Sequence, residues 1–438
     1  MPQVSAYGSW KSPITSELVA MRTIALSQIV LDGDDIYWIE QRPTERGRNV
    51  IVRRTPDGRT ADVNSAPHNA RTRVHEYGGG AFTVSDGVAY FSNYDDQRLF
   101  RIDVRGQASP LALTPAVDLR YADGVIDRRR HRLIGVREDH TRGGEAVNSL
   151  VSVDLEGDER EGGDKLASGN DFYSSPQLSA DGTRLAWLSW NHPNMPWDGT
   201  ELWTGEVDAG GKLRQARRVA GGSSESIFQP QWSPDGTLYF ISDRTGWWNI
   251  YRLRNGQVEP VHPRAAEFGA AQWAFGISTY AFESERRIIC RYGENGRAHL
   301  AALDTVSGQL ENIDTPYTDI WGVHARAGRV VFGGGSPSEP ASVVLLDLAT
   351  RRLDVLKRAS SAQVDDGYLS IPRAIEFPTE HGKSAHGFFY APHNKDFAAP
   401  QGEKPPLLVK VHGGPTGSTS MTFNLTIQYW TSRGFAVL

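Results

Sequence analysis

Two short stretches carry residue types in an order that could do chemistry. The first is His412-Gly413-Gly414-Pro415, directly after the apolar run Leu407-Leu-Val-Lys-Val411. A glycine pair lets the backbone turn sharply and lets a ligand carbonyl approach with no Cβ in the way. Pro415 has no N–H, so only the amides of Gly413 and Gly414 can be presented by such a turn. The ordinary alternative is a strand-to-helix turn whose amides cap the next helix. The second stretch is His75-Glu76-Tyr77, followed by glycines 78–80. The glycines suggest tight turning or close backbone approach, and a carboxylate such as Glu76 beside His75 could line a tunnel and bind a peptide amino terminus. The plainer reading is a structural turn.

Other constellations fail on spacing. His75-Glu76 is no zinc motif, because the second histidine of His-Glu-x-x-His falls on Gly79. Gly382-Lys383-Ser384 is no phosphate loop, because the required earlier glycine falls on Phe377. Trp247 and Trp248 read as blade core or rim rather than a binding platform.

Both stretches need a scaffold, and most of the chain supplies one kind. A turn carrying Asp-Gly leads repeatedly into a short aromatic-rich strand, then a second turn and another strand. The clearest copy is Trp232-Ser-Pro-Asp-Gly-Thr-Leu-Tyr-Phe-Ile-Ser-Asp243 with Asn249-Ile-Tyr-Arg-Leu253. Others begin at Leu31, Val84 and Leu178, with weaker copies at Gly276 and Arg329. Asp closes such a turn by accepting backbone bonds and Gly supplies the positive φ. One four-stranded unit cannot bury both faces alone, so several must close into a ring. The spacing predicts an all-β propeller over 24–360, seven blades of about 48 residues, near the propeller period of roughly 40–50. Residues 1–23 precede it as an N-terminal extension.

From about Arg358 the grammar changes. A polar linker leads to a hairpin over 371–390, a buried strand over 407–411, a helix over about 422–432 and a second buried strand from Gly434. Strand, glycine turn, helix, strand is α/β order. Residues 361–438 therefore read as a linker and the first part of an α/β domain, shorter than the usual domain of about 100–150 residues.

Composition narrows the partners. The 438 residues hold 47 basic and 52 acidic side chains, a net charge of −5, which gives no reason to expect nucleic acid or an anionic membrane. Cys290 is the single cysteine and sits in an apolar run, so it reads as core. No signal peptide and no apolar run of about 18 residues is read, which makes the cytoplasm the expected compartment.

These residues resemble the prolyl oligopeptidase family of serine peptidases, in its dipeptidyl aminopeptidase/acylaminoacyl-peptidase branch. The resemblance rests on Tyr7-Gly-Ser-Trp-Lys-Ser-Pro-Ile-Thr15, Arg73-Val-His-Glu-Tyr-Gly-Gly-Gly80 and Asn194-Met-Pro-Trp-Asp-Gly-Thr-Glu-Leu-Trp203. It extends through Ser242-Asp-Arg-Thr-Gly-Trp-Trp-Asn-Ile-Tyr251, Leu408-Val-Lys-Val-His-Gly-Gly-Pro415 and Gly434-Phe-Ala-Val-Leu438. It implies a propeller over an α/β-hydrolase with a Ser-His-Asp triad, hydrolysing short peptides through an acyl-enzyme while excluding folded ones. The nucleophile elbow of such hydrolases is Gly-x-Ser-x-Gly. Gly334-Gly-Ser336-Pro-Ser338 fails at its last position and Gly417-Ser-Thr-Ser-Met421 at its centre. The resemblance therefore implies that all three triad residues lie beyond residue 438 and that this chain alone is inactive. What it leaves here is an oxyanion donor from Gly414 or Gly413, with His412 and Pro415 shaping the loop. His412 is not the catalytic base, because the triad histidine comes last in the family's order. No metal or organic cofactor is implied. The expected partner is a short peptide, and homo-oligomer formation stays open. The rival readings are a binding propeller with a hydrolase remnant, and an esterase on the same scaffold.

Overall fold

The Asp-Gly turns are hairpins in the computed structural model, which describes all residues except 1, 22, 107–108, 158–161 and 415. Asp86 and Gly87 take φ of 53° and 80°, the paired left-handed geometry that matches strand twist. At the Asp181 turn the carboxylate accepts from Ser179 Oγ at 2.6 Å and from the Thr183 amide at 3.0 Å. These donors, Ser179 first, hold the Asp181 carboxyl down at about 2.

Seven four-stranded antiparallel sheets result, over 25–62, 82–112, 119–168, 172–221, 227–260, 280–313 and 319–358, each in simple sequential strand order. We number them blades 1 to 7. The expected seven-bladed propeller is the observed fold. An apolar cluster fills each junction between neighbouring blades, because each sheet is apolar on both faces. The ring closes through the seventh cluster, where Ile29, Trp38 and Val50 of blade 1 meet Val331 and Val343 of blade 7. Among the described residues no strand is exchanged across this closure.

The innermost strands share a second device. The first strands of blades 1, 3, 4, 5 and 7 each carry a bulge, with Gln28, Asp123, Ser175, Gln229 and Gly322 at φ of 37°, 58°, 52°, 47° and 61°. A bulge turns a polar group off the ladder. Here those groups join blades: the Ala81 amide donates to Gln28 Oε1 at 3.0 Å, and the Ser175 amide to Asp123 Oδ2 at 2.6 Å.

Beyond the ring, Arg373–Pro378 pairs with Ser384–Phe389 as the expected hairpin. The strand expected over 407–411 is shorter. Leu407–Leu408 pairs in parallel with Ala436–Val437, and only the Lys410 amide continues the pairing, to Leu438 O at 2.8 Å. Val409 and Val411 are 63% and 80% exposed, so nothing pairs or covers that stretch further. The helix is Leu425–Thr431 rather than 422–432, because the Asn424 side chain caps it by accepting from the amides of Thr426 and Ile427. The N-terminal residues belong with this part: Gln3–Val4 pairs in parallel with Phe397–Ala398, and Asn394 Nδ2 donates to both Lys11 O and Ser432 O. No helix among the described residues is long and apolar enough to cross a membrane.

Candidate functional site

The stretch after Leu407–Leu408 leaves its sheet and lies against the propeller. His412, Gly413 and Gly414 are all exposed, and Gly414 has φ of 74°. Among the described residues the amides of Gly413 and Gly414 donate to nothing. A Cβ at Gly413 would meet no atom within 4 Å, and one at Gly414 only Trp273 Cζ2 at 4.0 Å. The amides are thus free to donate, in a place open to a ligand. His412 Nδ1 lies 3.3 Å from Gly413 O. Pro415 lies outside the described residues. Thr416 accepts at Oγ1 from the indole N–H of Trp273 at 2.7 Å, which ties the loop to the connection between blades 5 and 6.

The second stretch leads into blade 2. His75 and Glu76 take φ of 54° and 63°, and Gly78, Gly79 and Gly80 follow at 68°, 85° and 53°. Two consecutive non-glycine residues in this region are costly unless the surroundings hold them. The holding group is Glu138 of blade 3, whose Oε1 accepts from the His75 amide at 2.7 Å. Glu138 is 5% exposed, and its other oxygen lies 3.1 Å from His140 Nε2. The His75 ring is enclosed by Phe172, Trp190 and Phe275 at centroid distances of 5.1, 5.4 and 4.7 Å. That burial pushes its pKa down to about 4, so it is a neutral ring at pH 7. Glu76 is outermost, 80% exposed at its side chain and paired with Arg120 at 3.2 Å.

These groups share a cleft of about 450 Å³. Its walls are Phe172, Trp190, Trp197 and Trp273, and its carboxylates are Glu76, Glu138, Glu145 and Asp171, with no lysine or arginine among the described lining residues, although Arg120 behind them pairs with Glu76 and lies 3.8 Å from Glu138. The Asp171 carboxyl is held below the usual range by the amide and ring of His192. An aromatic-walled, carboxylate-rimmed cleft suits an ammonium group attached to an apolar body.

Trp273 joins the two stretches. Its ring lies 4.3 Å from Trp197 and 5.1 Å from Tyr77 while its N–H holds Thr416. Sequence reasoning named Gly413, Gly414, His75 and Glu76 but missed Glu138, Asp171, Trp197 and Trp273. These come from blades 3 and 4 and the connection after blade 5, so no spacing links them. The one available signal is Trp197, inside a stretch that carried the family resemblance.

Comparison with known proteins bears on both halves. No protein-family model and no curated protein matches the chain. Among solved structures, puromycin hydrolase is 35% identical with a TM-score of 0.92, covering 99% of this chain and 69% of that one. A puromycin-hydrolyzing peptidase of Mycobacterium tuberculosis is 38% identical with a TM-score of 0.92, covering 99% and 68%. Prolyl oligopeptidase B from Galerina marginata, at 12% identity and a TM-score of 0.70 over 96% and 62%, shares the fold. With a seven-bladed propeller, a hydrolase-type segment packed on it, and this identity along nearly its whole length, the chain belongs to the prolyl oligopeptidase family of serine peptidases.

Proposed function

We propose that residues 1–438 are the propeller and oxyanion-loop portion of a serine oligopeptidase that hydrolyses short peptides and small aminoacyl amides through an acyl-enzyme. In acyl transfer the carbonyl oxygen gains negative charge as the tetrahedral intermediate forms, and a fixed N–H donor stabilises it. Gly414 or Gly413 supplies that donor. The triad is contributed from outside these residues, since no Gly-x-Ser-x-Gly occurs among them. The cleft receives the substrate's amino-terminal residue: Glu76 and Asp171 face the ammonium group, and Trp190, Trp197 and Phe172 pack its side chain.

The observation that carries this reading is the free amide pair of Gly413 and Gly414, held against Trp273, which is also a wall of the cleft. Binding groups and oxyanion donors thus lie on two sides of one indole. The similar structures are of proteins described as hydrolysing puromycin, which makes puromycin the first substrate to test. The test compares the 438-residue chain with the same chain extended by the reading frame that follows it. Puromycin and aminoacyl chromogenic amides should be turned over by the extended protein alone, and a serine-directed inhibitor should abolish that turnover. Inhibitor-sensitive turnover by residues 1–438, or none by an extended protein that contains the elbow, overturns the proposal.

A further inference from the structure

The connection between blades 5 and 6 does more than carry Trp273. Residues 275–279 lie across the axis of the ring and meet every other blade. The Phe275 amide donates to Gly78 O at 2.9 Å, and Gly79 pairs with Phe275 as a parallel bridge, although blades 2 and 6 stand across the ring from each other. A Cβ on Gly79 would run into the Phe275 carbonyl, so this position admits only glycine. A Cβ on Gly276 would meet Gly80 N at 3.1 Å and Gln28 Cδ of blade 1 at 3.6 Å. The Phe275 ring packs in one cluster with Ala122 of blade 3 and Tyr173 of blade 4. The Thr279 amide donates to Gln229 Oε1 of blade 5 at 2.7 Å, and Ser278 exchanges two bonds with Val323 of blade 7, at 2.8 and 3.1 Å.

These partners include the bulge residues Gln28 and Gln229 and lie partway along the innermost strands, so the closure sits within the ring. The hydrolase segment meets the ring at Asp319, first residue of blade 7, which accepts from Ser420 and Thr422. We infer that this closure is a permanent floor rather than a gate, so that the propeller has no axial route for substrate and the only approach to Gly413 and Gly414 from the propeller side is lateral, through the cleft of Glu76, Trp197 and Trp273. Two observations favour a floor. The segment is bonded to different blades on all sides, so lifting it means breaking contacts around the whole ring at once. Its anchoring groups are also buried: Phe275 is 5% exposed, Ser278 6% and Thr279 1%. The lateral route rests on the proposed function, whereas the closure does not.

Native-state hydrogen exchange on the 438-residue chain tests the closure without any activity. The amides of Phe275 and Thr279 should exchange with the slowest blade amides, about 10³-fold or more behind the exposed loop 141–145. Exchange near that loop's rate overturns the closure. The route is tested on the extended, active protein. Cys290 is fully buried and its thiol is pushed up to about 12, so a bulky maleimide reports only on introduced cysteines. Each labelled variant is compared with itself unlabelled. An adduct on Glu285→Cys, at the opposite end of blade 6's first strand, should leave kcat/KM for puromycin within about twofold, while one on Ala146→Cys, in the cleft wall, should lower it about tenfold or more. Equal losses, or a loss only with Glu285→Cys, overturn the lateral route, as does an Ala146→Cys adduct without effect. An extended protein with no turnover before labelling counts against the proposed function and leaves the exchange result standing.

Discussion

The indole N–H of Trp273 donates to Thr416 Oγ1 at 2.7 Å, two residues after Gly414 and three after Gly413. A propeller side chain thus orients the backbone that is proposed to receive the oxyanion. Trp273→Phe keeps an aromatic wall and removes the donor. In the extended enzyme kcat should fall about tenfold, with KM changed much less, because the loss is in the transition state. Thr416→Val should match it, and the double variant should be no worse than either alone. Additive losses in a double-mutant cycle would show that the bond is not the shared cause.

Gly414 tests the donor itself. At φ of 74° any side chain strains the turn, and Gly414→Val should lower kcat up to roughly 10²–10³-fold, the cost of a lost oxyanion donor. A correctly folded variant with unchanged kcat would remove the loop from the mechanism.

Glu76 tests recognition. Its side chain is exposed and paired only with Arg120, so Glu76→Gln should leave thermal stability within about 0.5 kcal/mol. KM for a substrate with a free amino terminus should rise, and KM for its N-acetylated counterpart should stay as it was. Equal changes for both substrates would show that the carboxylate does not read the amino group.

Acid stability follows from three enclosed groups. Burial pushes His75 and His324 down to about 4 from an ordinary 6.5. The unfolded chain binds their protons first, so the stability they contribute is complete above about 6.5 and is lost as pH falls through 4, up to about 3 kcal/mol each. Asp123 has the opposite sign. Burial raises its carboxyl to about 6, so its contribution is complete below about 3.8 and is lost as pH rises through 6. Two histidines outweigh one aspartate, and stability should rise from pH 4 to 6.5. Asp123→Asn should steepen that rise in urea titrations across the window, and an unchanged or shallower slope would count against the assignment.

Ring closure without an exchanged strand places weight on one apolar junction. Trp38, 1% exposed between blades 1 and 7, should cost about 3–5 kcal/mol when replaced by alanine. Trp247, 42% exposed, should cost less than about 0.5 kcal/mol. Chemical denaturation of the two variants makes the comparison.

The blades were legible because Asp-Gly pairs and apolar strands act locally: Asp181 orders its own turn whatever surrounds it. The axial bulges were not legible. Gln28, Asp123, Ser175 and Gln229 are four residues of three types, left-handed only because neighbouring blades bond the polar groups that the bulge exposes. The glycines 78–80 did signal close backbone approach, but the approaching chain is Phe275, some two hundred residues away, and no local pattern names it. The same holds for the cleft, since Glu138, Trp197 and Trp273 become neighbours only when the ring closes. The strand expected over 407–411 stops at Leu408 because an apolar run does not itself supply a sheet partner along its whole length.

The pairing of Gln3–Val4 with Phe397–Ala398 has a temporal consequence. Gln3–Val4 are synthesised nearly four hundred residues ahead of their partner strand, and the whole ring is synthesised in between. The propeller is thus an insert carried inside another folding unit, and it must be synthesised before that unit can assemble. Trp10, buried beside Gly434 in the folded structure, lacks that cover throughout the interval. A pause or a failed blade anywhere in 25–358 would prolong that exposure, so nascent-chain chaperones should engage the segment around Trp10 for longer than they engage any single blade.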